Sequence, residues 1–417
     1  MCSLCYDNGV KNICANWLKI RGVIPIKRLQ SMKEILTASF KLGLTSFGGP
    51  SAHLGYFRNE YIIKRKWVDE STYADLMALF QFLPGPASSQ VGISLGIIRG
   101  GLFGGFLAWL GFTLPSVLFL TLFAYLFSGV DLSEAGWIHG LKIAAVAVVA
   151  QAVFGMAKSL APDRSRATIL VVTAIISLLY PAVLNQILII IASGIIGFFL
   201  FRKATAAEMG NRYVTISKRA GILAWVIFFA LLFLLPIFKP FFTSTLYALF
   251  DSFYRVGSLV FGGGHVVLPL LEKEVVPPGW ISEANFLAGY GLAQAVPGPL
   301  FTFASYLGTS IAGWSGTIVA TVAIFFPSFL LVIGALPFWE MIRRKPKFQA
   351  ALMGIHAAVV GILLAALYDP LWTSTILAPI DFVLLMVLLL LLHIWKVSQW
   401  IIVLLSALMG TAMNYLV

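Results

Sequence analysis

The sequence predicts an all-α polytopic membrane protein made of two inverted-topology repeats, with helices or re-entrant hairpins broken by Gly and Pro, and three observations carry that expectation. Of its 417 residues 59% are hydrophobic and 11% charged, with mean hydropathy +0.92, more apolar surface than a soluble chain can hide. A set of motifs occurs twice. Phe47-Gly48-Gly49-Pro50, Trp67, Pro84-Gly85-Pro86 and Pro115-Ser116 return in the same order as Phe261-Gly262-Gly263-Gly264, Trp280, Pro297-Gly298-Pro299 and Pro327-Ser328, with only single-residue slips in the offset between the copies. Finally, the basic loops alternate with apolar segments in a way that turns the second copy upside down.

In chain order, residues 1–30 are expected to form a cytoplasmic extension, 31–201 the first repeat, 202–240 a basic linker with a connecting span, and 241–417 the second repeat. Ile35 to Phe47 is too short to cross a bilayer, which takes about 20 residues, and so is Ser51 to Ile63 beyond the Gly break. Tyr73 to Leu83 and Ala87 to Ile98 flank the first Pro-Gly-Pro. Longer apolar segments follow at Leu102 to Phe127, Trp137 to Leu160, Thr168 to Tyr180, Leu184 to Phe201 and Ile222 to Phe238. The second repeat has broken units at Phe242 to Val276 and Ile281 to Ile311. Spans follow near Gly313 to Leu336, Phe348 to Leu367, Ile376 to Leu392 and Val397 to Leu416, about nine full spans and four broken units in all.

Loop charge sets the orientation. Lys64-Arg65-Lys66, Arg164 with Arg166, the run from Arg202 to Arg219 and Arg343-Arg344-Lys345 mark cytoplasmic loops. Asp131 with Glu134, and Glu272-Lys273-Glu274, mark the outer face. Five spans between the repeats then make the second copy enter from the opposite side, an arrangement suited to alternating access.

Composition also excludes function classes. The net charge of +12 is spread over short loops, which fits positive-inside bias and not nucleic-acid binding. Cys2, Cys5 and Cys14 all lie in the N-terminal extension; with no His pair beside them they fall short of a zinc site, and no cofactor or metal is expected. An intramembrane enzyme lacks a membrane Cys or a His-Glu-x-x-His, no Walker motif supports ATP drive, and no ring of like charges marks a channel. Oligomeric state is not fixed by the sequence; a homodimer is carried as an expectation, with membrane lipid as the surrounding partner.

Paired breaks at matching positions of two repeats point to a binding site between them. Candidate anion donors are the backbone amides of Gly48, Gly49, Gly85, Gly262, Gly263, Gly264 and Gly298, with Gln81 and Gln294 ahead of the Pro-Gly-Pro turns. Close helix packing is the competing role for the glycines. Lys41 and Arg255 each stand six residues before the Phe of the Gly break, and a cation at mid-bilayer costs at least about 2.5 kcal/mol unless a pathway or partner compensates it. Proton-coupling candidates are the matched Glu60 and Glu274, each with a basic neighbour (Arg58, Lys273) as the alternative ion-pair partner, and His265, which replaces Ser51 of the first repeat.

The ordered motifs Phe47-Gly48-Gly49-Pro50, Gln81-Phe82-Leu83-Pro84-Gly85-Pro86 and Phe261-Gly262-Gly263-Gly264-His265, with Trp67 and Trp280, resemble those of the chromate ion transporter family in its long, two-halved form. The resemblance covers nearly everything from Glu34 onward. It implies an inner-membrane exporter of chromate, with sulfate as a second candidate, driven by the proton gradient or membrane potential and conferring chromate resistance. Another small oxyanion, or an anion channel, stays open as the alternative.

Overall fold

The computed structural model describes residues 26–46, 49–126, 136–180, 183–201, 216–260, 266–339 and 346–416, and among them there are helices and turns but no strand. The first repeat contains α1 (Ile26–Thr45), α2 (Gly49–Phe57) running into a π-helical turn (Arg58–Lys64), α3 (Glu70–Phe82), α4 (Ala87–Leu126), α5 (Gly136–Leu160), α6 (Arg164–Leu179) and α7 (Val183–Leu200). One helix, α8 (Lys218–Phe238), leads to the second: α9 (Thr245–Leu259), α10 (Val267–Val275), α11 (Glu283–Ala295), α12 (Phe303–Ala335), α13 (Pro346–Ala366), α14 (Pro379–His393) and α15 (Gln399–Leu416). Each of α1–α7 thus has a counterpart in α9–α15. Even the caps correspond: Asp69 accepts from the Thr72 amide at the start of α3, and Ser282 from the Asn285 amide at the start of α11.

The expected segments Ala87 to Ile98 and Leu102 to Phe127 meet in one kinked helix, Ala87–Leu126, as far as the described residues run. In α4 the kink is at Gly100 and Gly101, in α12 at Ala312 and Gly313, and Gly101 and Gly313 have φ of +69° and +60°, a conformation that favours glycine. The short limb then doubles back on the long one. A Cβ on Gly96 would sit 2.5 Å from the Gly104 carbonyl oxygen, and one on Gly308 2.2 Å from that of Gly316. Eight residues of straight helix would separate these groups by about 12 Å.

The kinks also establish the inversion. Trp314, next to Gly313, packs on Tyr125 with ring centroids 5.9 Å apart, and Tyr125 lies at the far end of the long limb of α4. At 1.5 Å per residue that end is about 36 Å from Gly101. The two kinks therefore lie at opposite faces of the molecule.

The repeats interlock. α5 packs against α14 and α15 of the second repeat, while α13 packs against α6 and α7 of the first. Glycines allow these contacts: a Cβ on Gly140 would lie 2.0 Å from the Ser406 carbonyl oxygen, and one on Gly354 2.0 Å from that of Ser193. Both are repeat-equivalent pairs. Lipid offers no hydrophobic drive for helix association, so backbone approach of this kind is what holds the bundle.

Among the described residues, five helices are long and apolar enough to cross a membrane, and α8 with its flanking turn is the most apolar and the least buried of them. Ile222, Leu223, Val226, Phe229, Phe233 and Ile237 are exposed on it, a face suited to lipid.

Candidate functional site

The two Pro-Gly-Pro turns meet the opposite repeat. Gly85 and Gly298 have φ of +105° and +104°. The Gly85 amide donates to the Val260 carbonyl at 2.6 Å, and the Gly298 amide to the Ser46 carbonyl at 2.9 Å. Val260 and Ser46 are the residues just before the two Gly-rich breaks. The turn of each repeat is thus tied to the break of the other. Beside the second turn, Ser116 donates its hydroxyl to the Pro297 carbonyl; beside the first, Gln90 Nε2 donates to the Pro84 carbonyl at 2.6 Å.

The amides of Gly85 and Gly298, candidate anion donors in the sequence, are here donated to carbonyls of the opposite repeat. Gly48, Gly262, Gly263, Gly264 and His265 lie outside the described residues, as do Cys2, Cys5 and Cys14. Gly49 is the first residue of α2, Gln81 lies near the end of α3, and Gln294 is buried at the end of α11 and bonded to Tyr290.

The matched charges pair with each other. Lys41 Nζ lies 3.3 Å from Glu60 Oε2, and Arg255 forms a two-pronged pair with Glu274 at 2.7 and 2.9 Å, each pair spanning 19 residues of sequence. The sequence neighbours Arg58 and Lys273 do not supply these partners. Arg58 instead grips Glu70 with two bonds of 2.9 and 2.7 Å.

Around this shared plan the repeats differ. Glu60 also binds Arg65 at 3.0 Å and Lys64 at 3.7 Å, and Glu34 binds Arg65 at 3.2 Å, Arg99 at 3.1 Å and the Trp67 indole at 3.2 Å. Arg255 also binds the fully buried Asp251 at 3.0 Å, and Lys239 lies 3.7 Å from that carboxylate. Repeat comparison missed Glu34 and Asp251 because their counterparts are Ala248 and Thr37. The Arg58–Glu70 pair has no equivalent either: its counterparts are Glu272 and Glu283. The first cluster therefore sets Lys41, Lys64, Arg65 and Arg99 against two carboxylates, whereas the second sets Lys239 and Arg255 against two. The first cluster thus carries a net charge of +2 and the second none.

Between the clusters the long limbs of α4 and α12 cross, with Trp109 5.7 Å from Phe325 and 5.5 Å from Phe329. The arrangement offers charge at each face, an aromatic crossing between, and hydrogen bonds that join two inverted units.

A family model described as chromate transporter matches residues 33–198 and 247–411, one segment in each repeat and nearly equal in length. The chain is 27% identical over 347 residues to a chromate transport protein of Pseudomonas aeruginosa, covering 81% of each chain. It is 25% identical over 390 residues to one of Cupriavidus metallidurans, covering 91% of this chain and 92% of that one. An uncharacterized transporter of Bacillus subtilis is 33% identical over 118 residues, 28% of this chain and 66% of that one. No solved structure matches the chain.

Proposed function

The chain belongs to the chromate transporter family, and from that premise we propose that it is a secondary transporter exporting chromate, with sulfate as a second substrate, across the inner membrane by alternating access. Chromate resistance is the expected consequence for the cell. The observation that carries the mechanism is the reciprocal bonding of each Pro-Gly-Pro turn to the other repeat's break, Gly85 to Val260 and Gly298 to Ser46. Two inverted units joined at these points can tilt against each other and open the centre to one face at a time.

In this reading the substrate passes between the breaks, near Gly48, Gly49, Gly262, Gly263 and Gly264, with Gln81 and Gln294 at the ends of α3 and α11. Lys41 and Arg255 draw the dianion inward while Glu60 and Glu274 hold them when no anion is present. A carboxylate released from its cation is then free to take a proton, which gives Glu60 and Glu274 their coupling role beside His265. The N-terminus lies in the cytoplasm, since Lys64, Arg65 and Arg99 share a face with Arg166 and Lys347 by helix order. The surplus cations of the first cluster then lie on the side from which export starts.

The test is uptake of radiolabelled chromate by inside-out membrane vesicles, with and without a pH gradient. Saturable uptake that sulfate competes is the expected result. Uptake no greater than that of vesicles lacking the protein would overturn the proposal.

A further inference from the structure

The crossing of α4 and α12 departs from two-fold symmetry in a chemically pointed way. Along these limbs the repeats stay in one register, as Gly96/Gly308, Gly104/Gly316 and Pro115/Pro327 show. The counterparts of Trp109 and Phe325 in that register are Thr321 and Thr113. The operation that relates the repeats therefore carries the Trp109–Phe325 contact, 5.7 Å between ring centroids, onto Thr321 and Thr113. Phe301 packs behind Phe325 at 6.0 Å, and the matching place in the first repeat, where the offset slips by one residue, carries Ser88 and Ser89. Where one side of the crossing carries three aromatic rings, the other carries three hydroxyls.

Those hydroxyls are unusual in a second respect. Ser89, Thr113 and Thr321 are 2%, 2% and 6% exposed, and none of their oxygens has a hydrogen-bond partner among the described residues. Some buried hydroxyls on the same helices donate to a carbonyl one turn back, Ser94 to Gln90 at 2.8 Å and Thr309 to Ser305 at 2.6 Å, whereas Thr121 on α4, like these three, has no partner among the described residues. Leaving three unpaired in an apolar bundle is costly unless something else accepts from them. Ser46 and Ser328, beside the two interlocking turns, also carry buried hydroxyls without a partner among the described residues.

We propose that Ser89, Thr113 and Thr321 form a neutral hydroxyl cradle that holds the transported tetrahedral oxyanion at the α4–α12 crossing. The proposal rests on the chromate-transport reading above and names the contact at the centre of that path. A tetrahedral oxyanion presents only acceptors, and a hydroxyl can turn its proton toward it. Uncharged donors let the ion leave as readily as it arrives, whereas a fixed cation at the midpoint would hold it. The paired cations at the two faces then concentrate the ion and the hydroxyls pass it on.

The test uses the full-length protein in proteoliposomes and compares wild type with Thr113→Val/Thr321→Val, Thr113→Ser/Thr321→Ser and Ser89→Ala. Valine keeps the threonine shape and removes only the hydroxyl. The expected result is a chromate KM raised at least tenfold in the valine pair, about 1.4 kcal/mol of lost binding, with thermal stability equal to or above wild type. The serine pair should stay within about threefold of wild type, and Ser89→Ala should raise KM by a smaller factor than the valine pair. A wild type that transports chromate beside a valine pair and a Ser89→Ala variant with unchanged KM would overturn the cradle alone. A wild type without saturable chromate uptake would overturn the transport reading, and the cradle with it.

Discussion

Arg255 and Lys41 occupy the same position in the two repeats, yet they stand in different environments. Arg255 is 21% exposed and grips Asp251 and Glu274, whose side chains are 0% and 11% exposed; Lys41 is 57% exposed and bonds Glu60. Removing one partner of a buried pair costs about 3–5 kcal/mol because a bare charge is left behind, whereas an exposed pair contributes about 0–1 kcal/mol. Arg255→Ala is therefore expected to lower the melting temperature and yield of purified protein sharply, and Arg255→Lys to recover part of both. Lys41→Ala should stay folded and lose transport, so thermal unfolding beside vesicle uptake separates the two roles. Equal stability of the two alanine variants would refute this difference. Repeat comparison made both cations and both glutamates legible, since Lys41 and Glu60 recur as Arg255 and Glu274 at one and the same offset. Glu34 and Asp251 were not legible, because a residue present in one repeat only leaves no periodic trace.

At the scale of elements, kinks and turns both use glycine at positive φ, but with different surroundings. A Cβ on Gly101 meets nothing within 4 Å, so Gly101→Ala bears only the backbone cost of about 1–3 kcal/mol. On Gly298 a Cβ would lie 2.2 Å from Ser116 Oγ, and on Gly85 2.6 Å from Gln90 Nε2, so strain and collision add. The expected order of destabilisation is Gly298→Ala and Gly85→Ala well above Gly101→Ala, measured by thermal unfolding in detergent. Transport should fall in the same order, because only the turn glycines bond the opposite repeat. Gly and Pro marked each of these places in the sequence. What the sequence did not disclose was whether a break ends a helix or only bends it: Gly100-Gly101 reads as a boundary, yet one residue at φ +69° lets helix resume at once. Nor could it disclose that the Gly85 and Gly298 amides face carbonyls of the other repeat, Val260 and Ser46, a long-range pairing without local signal.

For the molecule as a whole, the inverted arrangement predicts that single cysteines near Lys66 and near Glu274, in a chain lacking Cys2, Cys5 and Cys14, are labelled by an impermeant reagent from opposite faces. Labelling from one face would contradict the inversion. The interlock predicts that residues 1–201 and 202–417, produced together as two chains, assemble and co-purify, whereas either produced alone is degraded, since α5 and α13 each lack their clasp. The connecting helix gives this architecture an unexpected dependence. Past its broken units each repeat runs through four helices, α4–α7 and α12–α15, an even number that brings the chain back to the face it left, so two repeats joined directly would be inserted the same way up. Only the lone passage of α8 turns the second one over. A helix that buries little of itself acts as the molecule's parity bit, and deleting it would leave two well-formed halves facing the same way, unable to embrace.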